Sequence, residues 1–351
     1  MLSFYSIHNF DGRVFLIYTF PDMGLKKHII SLMILPLFLF QCGPKEESGI
    51  TENSPLKIAV IPKGTTHGFW KAIHAGAIKA AREFGVKIYW NGPQKEDDRA
   101  QQITVVEDFI NLGVDGIVLA PLDDRALTGP VRDAVERNIP VVIMDSALEG
   151  DFHISYVATD NYKGGVLAAQ RMGELLPDGG NLILIRYQVG SASTTNREQG
   201  FLDTIKNNFS HINLLVEDQY AGATTETAYQ LAENLLNRFS DIQGLFCPNE
   251  SSTFGALRAL QESGRAGQIK FVGFDSSPKL VQGLEDGHIH GLILQDPIKI
   301  GYMSVKQMVL HLQGQRIDRR IDTGVHLITP ENMAEPEMKA LLSPDLSPYL
   351  N

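Results

Sequence analysis

Short apolar, β-branched runs alternate along this chain with segments whose apolar residues recur every three to four positions. Lys57–Ile61, Val86–Trp90, Gly116–Ala120 and Val141–Met144 read as strands. Phe69–Phe84, with Phe69, Ile73, Ala77 and Ala80 at helical spacing, and Asp98–Leu112 read as helices. Each of these helices stops at a glycine, Gly85 or Gly113, the residue expected where a helix C-terminus turns left-handed. The alternation restarts after about Thr159. Helices are predicted at Tyr162–Leu175, Asn196–Lys206, Thr225–Asn237, Ser251–Glu262, Leu280–Glu285 and Ile298–Leu312. Strands are predicted at Asn181–Ile185, Ile212–Val216, Gly244–Cys247, Ile269–Val272 and Gly291–Leu294. Strands alternating with helices imply βαβ units and a parallel sheet with right-handed crossovers. Two such series predict an α/β fold of two doubly wound parallel-sheet lobes. A cleft lies between their carboxyl edges, the place where such sheets bind ligands.

The chain is expected to cross between lobes near Asp160-Asn161, Gln295-Asp296 and Thr323-Gly324-Val325, a multi-strand hinge. The first lobe is then residues 56–160 plus 296–324, the second 161–295 plus 325–340, and residues 341–351 form a tail.

Composition narrows the function. The 351 residues are 43% hydrophobic and 21% charged, ordinary for a globular chain with room for two domains. The net charge is −10 and no basic block stands out, which argues against a nucleic-acid partner. A DNA-binding regulator on this fold would need a helix-turn-helix before residue 56, where none is read. Cys42 and Cys247 make no disulfide framework, and no Cys/His group has zinc spacing, so no metal or cofactor is expected. No Gly-x-Ser-x-Gly elbow or Walker loop points to an enzyme. Gly190-Ser191-Ala192-Ser193 reads as a loop before a helix rather than a nucleophile site.

The N-terminus reads as targeting. Lys26-Lys27 is a short basic region, and Ile29–Phe40 is apolar but short for a membrane span. Cys42 follows directly. Residues 1–42 therefore resemble a bacterial lipoprotein signal with Cys42 as the lipidated residue, although Gln41 stands where a small residue is usual. Met23 heads a better signal than Met1. Residues 43–55, with Gly, Pro, Ser, Glu and Lys, read as a tether. This places the protein in the periplasm or at the cell surface, held to a membrane by lipid.

Polar groups gather just beyond the predicted strands. Lys63, His67, Phe69 and Trp70 follow the first, and Asp145 and Ser146 follow the fourth. Asn161, Arg197, Asn249, Asp275 and Gln295 recur in the second series. Carboxylates, amides, one arginine and adjacent aromatics suit a neutral polyhydroxylated ligand, since each hydroxyl both donates and accepts and charge-assisted hydrogen bonds are strong. Several of these residues also have a plainer reading, and His67 is a candidate loop or cap residue. Asp275, before Ser276-Ser277-Pro278, and Asn161 are candidate helix caps. Phe69 and Trp70 are candidate core, Arg197 a surface ion pair, and Glu250 a charge at a helix start.

The segments IAVIPKGTTHGFWKAIHAGA, PVVIMDS, VATDNYKGG, TTNREQGF, CPNESSTFGALRAL, FVGFDSSP and LILQDPIKIGYMS stand in order between Leu56 and Met333. In these the chain resembles the periplasmic sugar-binding proteins of ABC transporters, of the ribose- and galactose-binding type with a LacI-core-like, type I periplasmic binding protein fold. The resemblance implies capture of a monosaccharide between closing lobes and its delivery to a membrane permease. It assigns Phe69 and Trp70 to sugar stacking, and Asp145, Arg197, Asn249, Asp275 and Gln295 to polar ligand contacts, with Asn161 near the hinge. Two positions depart from the ribose pattern: Ser146 stands where an arginine is usual, and His67 where an asparagine is. Ile61-Pro62-Lys63, Asn91-Gly92-Pro93 and Asp145-Ser146 also resemble receptors for the furanosyl signal autoinducer-2, in which Lys63 and Asp145 would bind the ligand. Those receptors lack counterparts of Asp275 and Arg197. The monosaccharide therefore leads, with autoinducer-2 or a rhamnose-type ligand as alternative. Recognition by a membrane kinase or chemoreceptor in place of a permease is a further alternative.

Overall fold

The computed structural model describes residues 6–10, 13–17 and 54–350. Cys42, the signal segment around it and residues 43–53 of the tether lie outside the described residues. Near the N-terminus, β1 (Ser6–Phe10) and β2 (Arg13–Ile17) pair as an antiparallel hairpin. It belongs to a unit distinct from the one that begins at Ser54.

From Ser54 the order is β3 (Lys57–Ile61), α1 (Gly68–Phe84), β4 (Lys87–Trp90), α2 (Arg99–Leu112), β5 (Gly116–Leu119), α3 (Thr128–Glu136), β6 (Val141–Met144) and β7 (Ser155–Ala158). Then come α4 (Asn161–Leu175), β8 (Gly180–Arg186), α5 (Ala192–Asn208), β9 (Ile212–Tyr220), α6 (Thr225–Arg238), β10 (Gly244–Phe246) and α7 (Glu250–Glu262). β11 (Lys270–Phe274), α8 (Pro278–Glu285), β12 (Gly291–Leu294), α9 (Pro297–Leu312), β13 (Arg320–Asp322), β14 (His326–Ile328) and α10 (Pro336–Leu342) complete it.

Two six-stranded sheets result, ordered β13-β7-β6-β5-β3-β4 and β14-β12-β11-β10-β8-β9. The strands pair in parallel except β14, which runs antiparallel to β12. The chain passes between sheets after β7, after β12 and between β13 and β14. β5, β6 and β12 are buried at every residue because helices cover both faces, which is why they read as unbroken apolar runs. Alternate side chains divide between the faces. In the first sheet, Ile58, Val60, Val118 and Val142 pack with Ile73 of α1 and Met308 of α9. Ala59, Ile61, Ile117 and Ile143 pack with Val106 of α2 and Val131 of α3. In the second, Leu182, Leu184, Val272 and Phe274 meet α4 and α5 through Met172 and Phe201. Leu245, Phe271 and Leu292 meet α6, α7, α8 and α10.

The helix ends follow local chemistry. Gly85 and Gly113 close α1 and α2 at φ 65° and 67°. Asp98, Asp160, Asn249, Ser277 and Asp296 cap N-termini with their side chains. Several elements differ from the sequence reading. α5 starts at Ala192, four residues earlier than Asn196, because Ser191 takes the N-cap position. β9 runs on to Tyr220 through register shifts against β8. β7, β13, β14, α3 and α10 join those predicted; the strands among them are three or four residues long, too short to show a period. α10 runs through residue 341, where the tail was expected to begin, and buries Met338 and Leu342 in the second core.

Candidate ligand site between the two sheets

Parallel strands deliver their C-terminal residues to one edge, and the two edges face each other here. Lys63 follows β3, Glu96 follows β4 and Asp145 follows β6; Tyr187, Asn249, Asp275 and Gln295 follow β8, β10, β11 and β12. With His67, Phe69, Trp70, Ser191, Ser193, Thr194, Arg197 and Glu250 they line one cavity. Its free volume is only about 30 Å3. The lining groups are drawn tightly onto one another.

Asp145 and Asp275 occupy equivalent positions. Each leaves its strand with positive φ, 61° and 65°. Each donates its N–H at 2.9 Å to the neighbouring strand, to the Val157 and Ile293 carbonyls respectively. A non-glycine residue in this region is strained by about 1–2 kcal/mol, and such strain clusters at ligand sites. Asp275 does not cap α8. Ser277 does, accepting from the Leu280 N–H, so the plainer reading of Asp275 fails.

Lys63 and Asp145 form a buried pair, Nζ to Oδ2 3.1 Å. Lys63 also donates to Ser193 Oγ at 3.0 Å and Ser191 Oγ at 3.3 Å. Opposite, Arg197 is buried. Its Nε donates to Asn161 Oδ1 at 2.8 Å and its Nη1 to the Pro248 carbonyl at 2.9 Å. Its Cζ lies 3.9 Å from the centre of the Phe274 ring, and Nη1 lies 3.9 Å from Asp275 Oδ2. It is no surface ion pair. Gln295 donates to Asp275 Oδ1 at 2.8 Å, while its buried Oε1 accepts from no described residue. An unpartnered acceptor in a polar cavity is open to a donor from water or from a ligand.

Glu96 joins the remaining groups. It accepts from Trp70 Nε1 at 2.8 Å and Tyr187 O–H at 2.7 Å, and pairs with His67 Nδ1 at 3.0 Å. Burial would raise its pKa, but His67, Lys63 and the Trp70 hydrogen bond hold it down to about 2. Burial would lower that of His67, yet Glu96 above all, with Glu250 and Asp275, raises it to about 9. Burial lifts Glu250 to about 7, with His67 opposing and Asp275 assisting. Asp275 is raised by burial, with Arg197 opposing.

These shifts predict a pH dependence. Glu250 binds its proton more readily in the folded state, so its contribution is full below about 4.5 and is lost as pH rises through about 7. The His67 contribution is full below 6.5 and lost as pH rises through about 9. The Glu96 contribution is present above 4.5 and lost as pH falls through about 2. Thermal melts should therefore show greater stability at pH 5 than at pH 9, and Glu250→Gln should flatten the slope between pH 5 and 7. An unchanged slope in that variant removes Glu250 as a cause.

Nine of the residues proposed from sequence line the cavity: Lys63, His67, Phe69, Trp70, Asp145, Arg197, Asn249, Asp275 and Gln295. Two stand behind it. Ser146 Oγ accepts from the Ser193 N–H, and Asn161 holds Arg197 and donates to the Asp145 carbonyl. Asn161 is not the α4 cap, which is Asp160. Trp70 is both core and lining, and lies edge-on to Phe69 with centroids 5.0 Å apart. Glu250 is a first-turn charge as read, and also lines the cavity and accepts from the Phe69 N–H. Sequence reasoning missed Glu96, Tyr187, Ser191, Ser193 and Thr194 as lining residues. Tyr187 carried the right signal, a position just past a strand. Glu96 carried none within Gln94-Lys95-Glu96-Asp97-Asp98.

A periplasmic binding protein domain model matches residues 58–316. The chain belongs to the periplasmic binding protein family. It is 27% identical over 313 residues to the ribose import binding protein of Bacillus subtilis, covering 87% of this chain and 99% of that protein. It is 37% identical to an ABC-type sugar transport system periplasmic component from Hahella chejuensis, with a TM-score of 0.76 over 78% of this chain and 99% of that one. A carbohydrate transporter solute binding protein from Agrobacterium radiobacter, in complex with D-arabinose, is 30% identical, with a TM-score of 0.80 over 83% of this chain and all (100%) of that one. The two sheets with their helices are thus the two lobes of a type I periplasmic binding protein.

Proposed function

We propose that this periplasmic binding protein captures a monosaccharide between its lobes and delivers it to an ABC transporter permease. The observation that carries this reading is the meeting, in one cavity, of Lys63 and Asp145 from the first sheet with Arg197, Asn249, Asp275 and the unpartnered Gln295 from the second. Charged acceptors and donors on both walls suit hydroxyls, and Phe69 offers an aromatic surface. The sugar-binding relatives support the same class of ligand.

Residues 56–160 with 296–324 and residues 161–295 with 325–340 act as the two moving bodies. Lys63 to Ser191 and Ser193, Glu96 to Tyr187, Glu250 to the Phe69 N–H and the Asp124 N–H to the Gly190 carbonyl all cross the cleft. They describe a closed arrangement. A ligand that bridges both walls shifts the open–closed equilibrium by its differential affinity, and the permease reads the closed form. No bond is made or broken, so bound sugar is expected back unchanged in a turnover assay. The buried Lys63–Asp145 pair favours a second reading, a furanosyl ligand such as autoinducer-2.

A melting panel of pentoses, hexoses, deoxyhexoses and autoinducer-2 tests both. A ligand at about 100 times its dissociation constant stabilises by about 2.7 kcal/mol. A shift with a monosaccharide supports the leading reading, a shift with autoinducer-2 alone supports the second, and none with any removes both. Membrane attachment through Cys42 is tested separately. Cys42→Ala should move the protein from membrane to soluble fraction at unchanged ligand affinity, because the lipid chains supply the anchor. Recovery of the parent protein in the soluble fraction contradicts it.

A further inference from the structure

We infer that the cleft continues into an apolar annex, and that the ligand is a sugar bearing a short apolar arm which the annex holds. This rests on the sugar reading above. A second, larger cavity, of about 270 Å3 against about 30 Å3 for the cleft, shares Phe69, Asp275 and Gln295 with it. Beyond those three residues the walls are largely apolar: Ala72 of α1, Pro278 of α8, Leu294 of β12, and Leu341, Pro344 and Leu346 of the C-terminal segment. The cleft by itself has little free room around a ring held among its polar groups. A substituent leaving that ring past Asp275 and Gln295 enters the larger space. At this junction Gln295 Oε1 lacks a donor, which a ring hydroxyl supplies.

The C-terminal wall is held at both ends. Met338 and Leu342 are buried in the second core, and Arg82 of α1, on the first sheet, donates from Nη1 to the Pro348 carbonyl at 2.6 Å. The segment therefore spans both lobes, and the annex is complete only when they are drawn together. A mostly apolar concave space with a few polar groups at its mouth is the usual form of a small-molecule subsite.

Calorimetric titration of the full chain with D-ribose, D-arabinose, D-allose and D-fucose, and with the phenyl β-glycoside of each, tests the annex. At least one phenyl glycoside should bind about tenfold or more tightly than its free sugar, a gain consistent with burying apolar surface. Leu346 is only partly buried, so Leu346→Trp, which fills the annex, and Leu346→Asp, which charges it, should fold normally. Both should erase the glycoside's advantage and leave the free sugar's affinity unchanged. If free sugars bind and no glycoside binds more tightly, or if the advantage survives both variants, the annex is overturned while the sugar reading stands. If neither form of any of these sugars binds and no pentose, hexose or deoxyhexose of the melting panel does, the sugar reading falls and the annex with it.

Discussion

Arg197→Lys should lower ligand affinity about ten- to a hundredfold, and Arg197→Met should also cost about 3–5 kcal/mol of stability. The guanidinium does several things at once: it donates to Asn161 and to the Pro248 carbonyl, lies over the Phe274 ring and faces Asp275. An ammonium is a point charge and cannot keep the fork and the stacking together. Methionine removes the charge and leaves the buried Asp275 carboxylate without its main compensation. Burial already raises the Asp275 pKa against Arg197, so without Arg197 it rises further. The stability loss in Arg197→Met should therefore be larger at pH 8 than at pH 5, which urea titrations at the two pH values would measure. Asp275→Asn complements this. Because Ser277 caps α8, the helix is untouched, and the loss of a charged hydrogen bond, about 1.5–3 kcal/mol, should appear in affinity. Near-parental affinity in both Arg197→Lys and Asp275→Asn would remove these residues from the site.

Gly165→Ala should destabilise the protein by about 1–3 kcal/mol or more and weaken ligand binding as well. α4 and α5 touch through glycines. A methyl at Gly165 would overlap the Arg197 carbonyl oxygen, and one at Gly200 would overlap that of Tyr162. These neighbours are backbone and cannot rotate away. α5 has to move outward, and it carries Arg197 out of register with Asn161 and Phe274. Gly129→Ala in α3, where nothing lies within 4 Å of the new carbon, is the control and should be neutral or slightly stabilising. Chemical denaturation and calorimetry of the three proteins separate the cases. If Gly165→Ala matches Gly129→Ala, close packing is not what positions Arg197.

Much of this was visible in the order of residues. Strand period, helical spacing and glycine stops identified two series of βαβ units, because these signals are local and repeat. The polar residues just past strands were also legible, since parallel topology sends every C-terminal strand end to the same edge. The plainer readings of Arg197 and Asp275 fell for non-local reasons. Nothing in Asn196-Arg197-Glu198 says that the guanidinium is buried on Phe274, and nothing before Ser277-Pro278 says which residue caps the helix.

The chain's pattern by itself determined the fold class and the band of residues from which the site is drawn, because periodicity and strand ends depend on near neighbours. Only the tertiary structure decided which members of that band share one cavity. Glu96 sits in a polar run, Gln94-Lys95-Glu96-Asp97-Asp98, that carries no signal of a site, yet it becomes the hub for His67, Trp70 and Tyr187. Ser191 and Ser193 read as a loop, yet they meet Lys63. The left-handed backbone of Asp145 and Asp275, the orphan oxygen of Gln295 and the apolar annex under the C-terminal segment arise where distant segments meet. Burial, charge pairing and a missing partner are properties of those meetings and of no single stretch of sequence.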